Sequence, residues 1–438
     1  MSDEHGRRRT NTESPSPEGY GVANGRAEDA AEKRRRLRGF LRNAALVAVS
    51  VGLVVGLAVL ADRIAPWFYP SATPLGYIDM AFPPGSVEEF ATPEFEFTAR
   101  INSLGIRDEE IPLESEHACR ILAFGDSFTY GYGVDLEDTW LKHLERNLRE
   151  QGVDAETVNM GRSGTGAVFY AAFAERTVPV LRPDVVLVAV LHNDLAQSPL
   201  RRAGGRENWL ALQVRAWFPN LTRLVRIYAG SDTNEATIVP PPSRHTAEEN
   251  REQFVHVAHM HAEQWNAAER ARFEALDEEV QRLFLDGDLN PFMVGVAVTC
   301  PTFYTSILPA EDGLMDYAVE DMARCLGRIR RVAHRYDAQV IVAVVPAGAY
   351  VNEHQYEHVQ RLGFEVAERM LTSPAPDLIT REGSAAAELP CVSVTEDFRQ
   401  RREEPGLYFP LDNHFSPKGH RLYADLLTPK LLELIAEP

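Results

Sequence analysis

The sequence has little cysteine: four residues in 438, Cys119, Cys300, Cys325 and Cys391, widely spaced and without a Cys-x-x-Cys pair. That spacing speaks against a zinc site or a thioredoxin-like motif and leaves buried thiols as the ordinary reading. In an exported domain, Cys300 and Cys325 would be the pair to bridge across an inserted segment. Positive charge is also short, since 45 Lys and Arg stand against 64 Asp and Glu for a net charge of −19. A nucleic-acid backbone would be repelled, so no nucleic-acid partner is expected. Three motifs are missing as well. There is no Gly-x-Ser-x-Gly elbow, which disfavours an ordinary α/β-hydrolase. There is no Gly-x-x-x-x-Gly-Lys-Ser/Thr loop for a nucleotide phosphate. Gly161, Gly164 and Gly166 stand in the wrong order for a dinucleotide fingerprint. No cofactor is called for. His256, His259 and His261 lie on a charged, helical stretch without a cysteine or carboxylate set, and read as surface residues rather than metal ligands.

What is present begins with a polar segment. Residues Met1 to about Ala31 show no apolar periodicity and are expected to be disordered. Lys33, Arg34, Arg35, Arg36, Arg38 and Arg42 follow, so residues 1–42 form a basic tail. From Asn43 to Ala61, 19 residues carry no charge, and as a helix they would span roughly 28 Å, close to the hydrocarbon thickness of a bilayer. The stretch is expected to be a transmembrane helix, with Trp67, Phe68 and Tyr69 as an interfacial belt. A buried core helix would be amphipathic. A cleaved signal peptide fits the small residues near Ala61, but its leader would be far too long. The basic cluster before the span places the N-terminus in the cytoplasm and the rest of the chain outside it. Gly52 and Gly56 make a Gly-x-x-x-Gly pair suited to packing two such helices into a homodimer.

Residues 62–116, rich in proline and glutamate, read as a linker and domain entry, with an extended patch at Phe95-Glu96-Phe97-Thr98. Beyond them, residues 117–438 alternate in the manner of a parallel sheet with crossover helices. Strands are expected at 121–124, 156–159, 184–190, 339–345 and, more weakly, 391–394. Helices are expected at 139–149, 168–176, 316–336, 355–371 and 419–435. Val185 to Val190 is apolar on both faces, as a strand covered on both sides requires. The stretch from about 200 to 310 is too long for a crossover and reads as an insertion or lid beside the site.

The organising segment is Arg120 to Gly131. An apolar run, Ile121 to Phe124, breaks at Gly125, and Asp126-Ser127 open a helix. A hydroxyl at such a corner is a nucleophile once a base takes its proton, and the helix start offers unpaired N–H groups to an oxyanion. Taken alone, Gly-Asp-Ser is equally a good turn and N-cap. Three further segments fall at strand ends. Asn159 to Gly164 would let the Gly164 N–H point at an oxyanion. Asn193-Asp194 offers an amide donor. Asp412-Asn413-His414 precedes Ser416-Pro417, an N-cap and first-turn proline, and there Asp412 would orient the His414 ring. His420 is a rival base, but it lies inside the last expected helix. Open parallel sheets gather ligands at the carboxyl ends of their strands.

The set Gly125-Asp126-Ser127, Gly164, Asn193 and Asp412-x-His414, with the upstream Asn102-Ser103-Leu104-Gly105-Ile106-Arg107, resembles the SGNH, or GDSL-type, hydrolase family over roughly residues 102–438 apart from the insertion. Two departures stand out: Leu191 replaces a frequent glycine, and one residue rather than two separates Asp412 from His414. The resemblance implies a flavodoxin-like three-layer α/β/α fold with a central parallel sheet. It implies Ser127 as nucleophile, His414 as base, Asp412 as its orienter, and an oxyanion hole from the Ser127 and Gly164 N–H groups and the Asn193 side chain. The expected activity is that of a membrane-anchored serine esterase or O-acyltransferase, acting outside the cytoplasm on an ester or acylated glycan or on lipid. A catalytically silent glycan-binding or scaffold domain of the same fold is the contrasting reading.

Overall fold

The computed structural model describes residues 19–64, 81–191, 194 and 242–436. The chain divides into two units, one holding residues Met1–Pro70 with Asn208–Thr233, the other Ser71–Glu207 with Asn234–Pro438. In the first unit the described element is one helix, α1 (Gly19–Ile64). It therefore starts well before the expected Asn43, and residues 19–42 of the tail are helical rather than disordered. Their Ala, Glu, Lys, Arg and Leu content favours helix, and continuity with the apolar run removes the cost of a separate nucleus. Within α1, the 26-residue stretch Gly39–Ile64 contains an 18-residue window with a mean hydropathy of 2.7. Trp67, Phe68 and Tyr69 lie outside the described residues.

The second unit begins with a hairpin where a linker was expected. β1 (Val87–Ala91) pairs antiparallel with β2 (Glu96–Arg100), placing Phe90 opposite Phe97. Phe95 and Phe97 bury against Tyr130, Val134 and Phe409 in a small second core. The proline-rich composition of the region hid this pairing, which depends on aromatic partners far along the chain.

The main sheet alternates with helices as expected. β3 (Cys119–Gly125) is followed by the single turn α2 (Ser127–Tyr130) and by α3 (Trp140–Glu150). β4 (Ala155–Gly161), α4 (Ala167–Leu181) and β5 (Val185–Val190) come next. The insertion pairs β6 (Arg244–His245) with β1, then forms α5 (Ala247–Gln264), α6 (Ala267–Glu274), α7 (Glu278–Leu285) and α8 (Pro291–Thr299). A reciprocal capping box between Thr246 and Glu249 starts α5. The sheet resumes with α9 (Asp316–His334), β7 (Gln339–Val344), α10 (Glu353–Arg361), α11 (Ala375–Ala386), β8 (Cys391–Val392) and α12 (Pro417–Ala436).

Five strands run parallel in the order β4-β3-β5-β7-β8. Numbered within this sheet, that is 2-1-3-4-5, the flavodoxin-like order. α3 packs on α12, and α9 packs on α4 and α11, giving two helix layers with the sheet between them. Every residue of β3 and β5 is buried, as covered faces require. The helix expected over 355–371 ends at Arg361 instead. Gly363 adopts φ +98° and the Phe364 N–H returns to the Val359 carbonyl at 3.1 Å, a glycine stop, before a separate turn at Glu368–Leu371. All four cysteines are thiols, so Cys300 and Cys325 do not bridge.

Candidate active site

The site is built at the carboxyl ends of β3, β4 and β5. β3 stops at Gly125, and Asp126 caps the following turn by accepting the Phe128 N–H at 2.9 Å. This sets Ser127 at the first position of α2, with its N–H among those a helix start leaves open. The turn rests directly on the end of β4. A Cβ added at Gly161 would lie 2.1 Å from the Tyr130 backbone nitrogen, so no other residue fits there.

His414 reaches Ser127 from the far end of the chain. The loop before α12 is folded by a Phe409 N–H bond to the His414 carbonyl and an Asn413 N–H bond to the Phe409 carbonyl, at 2.8 and 2.9 Å. Asn413 takes φ +71°, a conformation asparagine tolerates better than most residues. Ser416 caps α12 through the Gly419 N–H. The outcome is a hydrogen-bonded chain: Ser127 Oγ lies 2.6 Å from His414 Nε2, and His414 Nδ1 bonds Asp412 Oδ1. An ionised carboxylate only accepts, so Nδ1 carries the proton and Nε2 is left to accept from the Ser127 hydroxyl. Burial lowers the proton affinity of the imidazole, but the Asp412 carboxylate, by charge and hydrogen bond, carries it above the ordinary histidine value. Phe128 and Tyr132 pack on the ring at 4.9 and 5.1 Å.

His420, the rival, is fully buried in α12, where its Nδ1 accepts the Trp140 N–H at 3.1 Å. Desolvation holds it well below the usual histidine range, a neutral core residue. Gly164 takes φ +72° and lines one cavity together with Ser127 and His414. Asn193 lies outside the described residues. Its neighbour Asp194 is buried and accepts the Tyr170 hydroxyl at 2.8 Å and the Leu191 N–H at 3.0 Å. Burial raises its carboxyl well above the normal range.

Two supports come from the entry segment. Arg107, quoted in the sequence motif, is buried and donates to the carbonyls of Tyr130, Gly131 and Val134 at 2.6–2.8 Å, fixing the chain that follows Ser127. Asp108 beside it accepts the Asn159 N–H and pairs with Lys142. The second support went unseen in the sequence. Glu94, in the β1–β2 loop, accepts the N–H groups of Leu411 and Asp412, both at 2.8 Å. Burial outweighs those bonds and pushes its carboxyl up to about 6.

The shared cavity has a volume of about 650 Å³, and most of its wall is apolar. No group of histidine, cysteine and carboxylate side chains suited to a metal occurs among the described residues, and His256, His259 and His261 do not form one.

An α/β sheet with serine, histidine and aspartate joined in one chain at its carboxyl edge defines the class to which the comparisons also point. Residues 123–293 match the model of the GDSL-like lipase/acylhydrolase family, and this part of the chain is a domain of that family. Solved structures similar to it include TesA, at 11% identity over 72% of this chain and 99% of that one, with a TM-score of 0.34. The acetyl xylan esterase AlAXEase aligns at 12% identity, 71% and 99% coverage and a TM-score of 0.31. The lipase/acylhydrolase from Enterococcus faecalis aligns at 12%, 72% and 96%, with a TM-score of 0.34. No curated protein matches the chain.

Proposed function

We propose that this chain is a membrane-anchored serine esterase that works through an acyl-Ser127 intermediate. The observation that carries the reading is the single imidazole joining Ser127 to Asp412. Ser127 Oγ attacks the ester carbonyl as His414 Nε2 takes its proton. The oxyanion is held by the N–H groups of Ser127 and Gly164 and by the Asn193 amide, each such donor being worth ~3 kcal/mol in the transition state. His414 then protonates the leaving alcohol. Water, activated by the same imidazole, releases the acid; a sugar hydroxyl in its place would make the reaction a transfer. No cofactor takes part. The apolar run in α1 is the anchor, and the basic cluster before it keeps the N-terminus in the cytoplasm, so the esters are those of the cell envelope.

Ser127→Ala is expected to lower kcat/KM for an aryl ester by on the order of 10³ or more, and to abolish labelling by a fluorophosphonate. Unchanged turnover in that variant would overturn the assignment and favour a silent binding domain. Hydrolysis and transfer separate on whether added saccharide diverts the acyl group from water.

A further inference from the structure

The cavity that holds Ser127 and His414 is not walled by the sheet alone. Phe254 and Val257 of α5, Phe292, Met293 and Val296 of α8, and Phe90 of β1 supply much of it. Each helix presents residues three or four apart, which share one face. The two faces converge because α5 packs on α8, and the Phe90 and Phe254 rings lie 6.2 Å apart. Phe292 remains 59% exposed, a large apolar side chain at the cavity, where few such exposures occur outside α1 among the described residues. The volume of ≈ 650 Å³ far exceeds the need of an acetyl group, which would leave these walls wet.

Resting on the esterase reading above, we infer that the insertion makes a binding channel for the acyl part of the substrate, and that this part is an apolar chain of about six carbons or more rather than acetyl. The juxtaposition of the reacting serine with two apolar helix faces from the insertion carries the inference. A methylene moved from water to such a wall is worth about fourfold in binding. Chain length is therefore read by α5 and α8, while the chemistry is done by the sheet.

The test uses the full chain in lipid nanodiscs with 4-nitrophenyl acetate, butyrate and octanoate below their micellar concentrations. The kcat/KM for octanoate should exceed that for acetate by at least about thirtyfold. Val257→Trp should cut that octanoate-to-acetate ratio at least tenfold by filling the channel. Phe292→Ala, a truncation at an exposed position, should lower the ratio in the same direction and guards against a folding defect in the first variant. Acetate turned over as well as octanoate, or a ratio unmoved in both variants, would overturn the inference. If fluorophosphonate labels Ser127 while the length profile is flat, the acyl channel alone fails. If Ser127 does not label and no ester is cleaved, the esterase reading fails and takes the channel with it.

Discussion

At His414 burial and the Asp412 carboxylate act in opposite directions, and the carboxylate prevails, so the folded imidazole binds its proton more tightly than a free histidine. A base must be neutral to work. On the proposed mechanism, activity should therefore be present at high pH and lost as pH falls through a value above the ordinary 6.5. Asp412→Asn removes the raising partner and leaves burial, which lowers the proton affinity. The acid limb of kcat/KM should move to lower pH, while the rate at pH 8 drops by roughly 10²–10⁴ because the wrong tautomer is held. A pH–rate profile from 5 to 9 on an aryl ester checks both, and an unmoved limb would deny Asp412 its part. Ser127 and His414 were legible from local signals, a glycine break after an apolar run and an N-cap with proline, and Asp412 from its place two residues before His414 in the same turn. Glu94 had no such signal, since its partners are backbone groups of residues 411 and 412, which any side chain leaves unaltered.

The element that delivers Glu94 is the β1–β2 hairpin, whose aromatic residues bury against Tyr130 and Phe409 on either side of the site. It clamps the Ser127 turn through the segment leading to Arg107 and the Asp412 loop through Glu94. Above about pH 6 the carboxylate accepts both N–H groups. Glu94→Ala leaves the Leu411 and Asp412 N–H groups without that acceptor, and the loop carrying Asp412 and His414 loosens. At pH 8 kcat/KM should fall between roughly tenfold and a hundredfold, as small displacements of reacting groups do, with the protein still folded by circular dichroism. Full activity in this variant would show that the hairpin supports the fold and not the site. The covered strands of the main sheet were legible from their two apolar faces. The hairpin was not, because its strands gain their stability from cross-strand and tertiary aromatic contacts rather than from any pattern of their own. The expected helix over 355–371 failed for a different reason: Gly363 ends α10 at a position where a Cβ would meet Leu276, a contact made by the insertion.

At the scale of the whole molecule, charge and apolar length are segregated. The stretch Gly39–Ile64 exposes Leu46, Leu53, Val54 and Leu57 at 56–64%, and its charges, Arg42, Asp62 and Arg63, stand near its ends. At ~1.5 Å per residue it reaches roughly 39 Å, more than the ~30 Å of a bilayer core. Water is a poor solvent for such a surface, and burying it in lipid recovers the transfer free energy of some twenty apolar residues. In the orientation proposed above, the basic side chains between Lys33 and Arg42 hold the N-terminus in the cytoplasm. The full chain should therefore sediment with membranes and withstand an alkaline carbonate wash, and deletion of residues 39–64 should release it. Protease added outside intact spheroplasts should degrade a C-terminal tag and spare an N-terminal one. Release of the full chain by carbonate would remove the anchor, and protection of the C-terminal tag would reverse the orientation and with it the assignment of envelope esters as substrates.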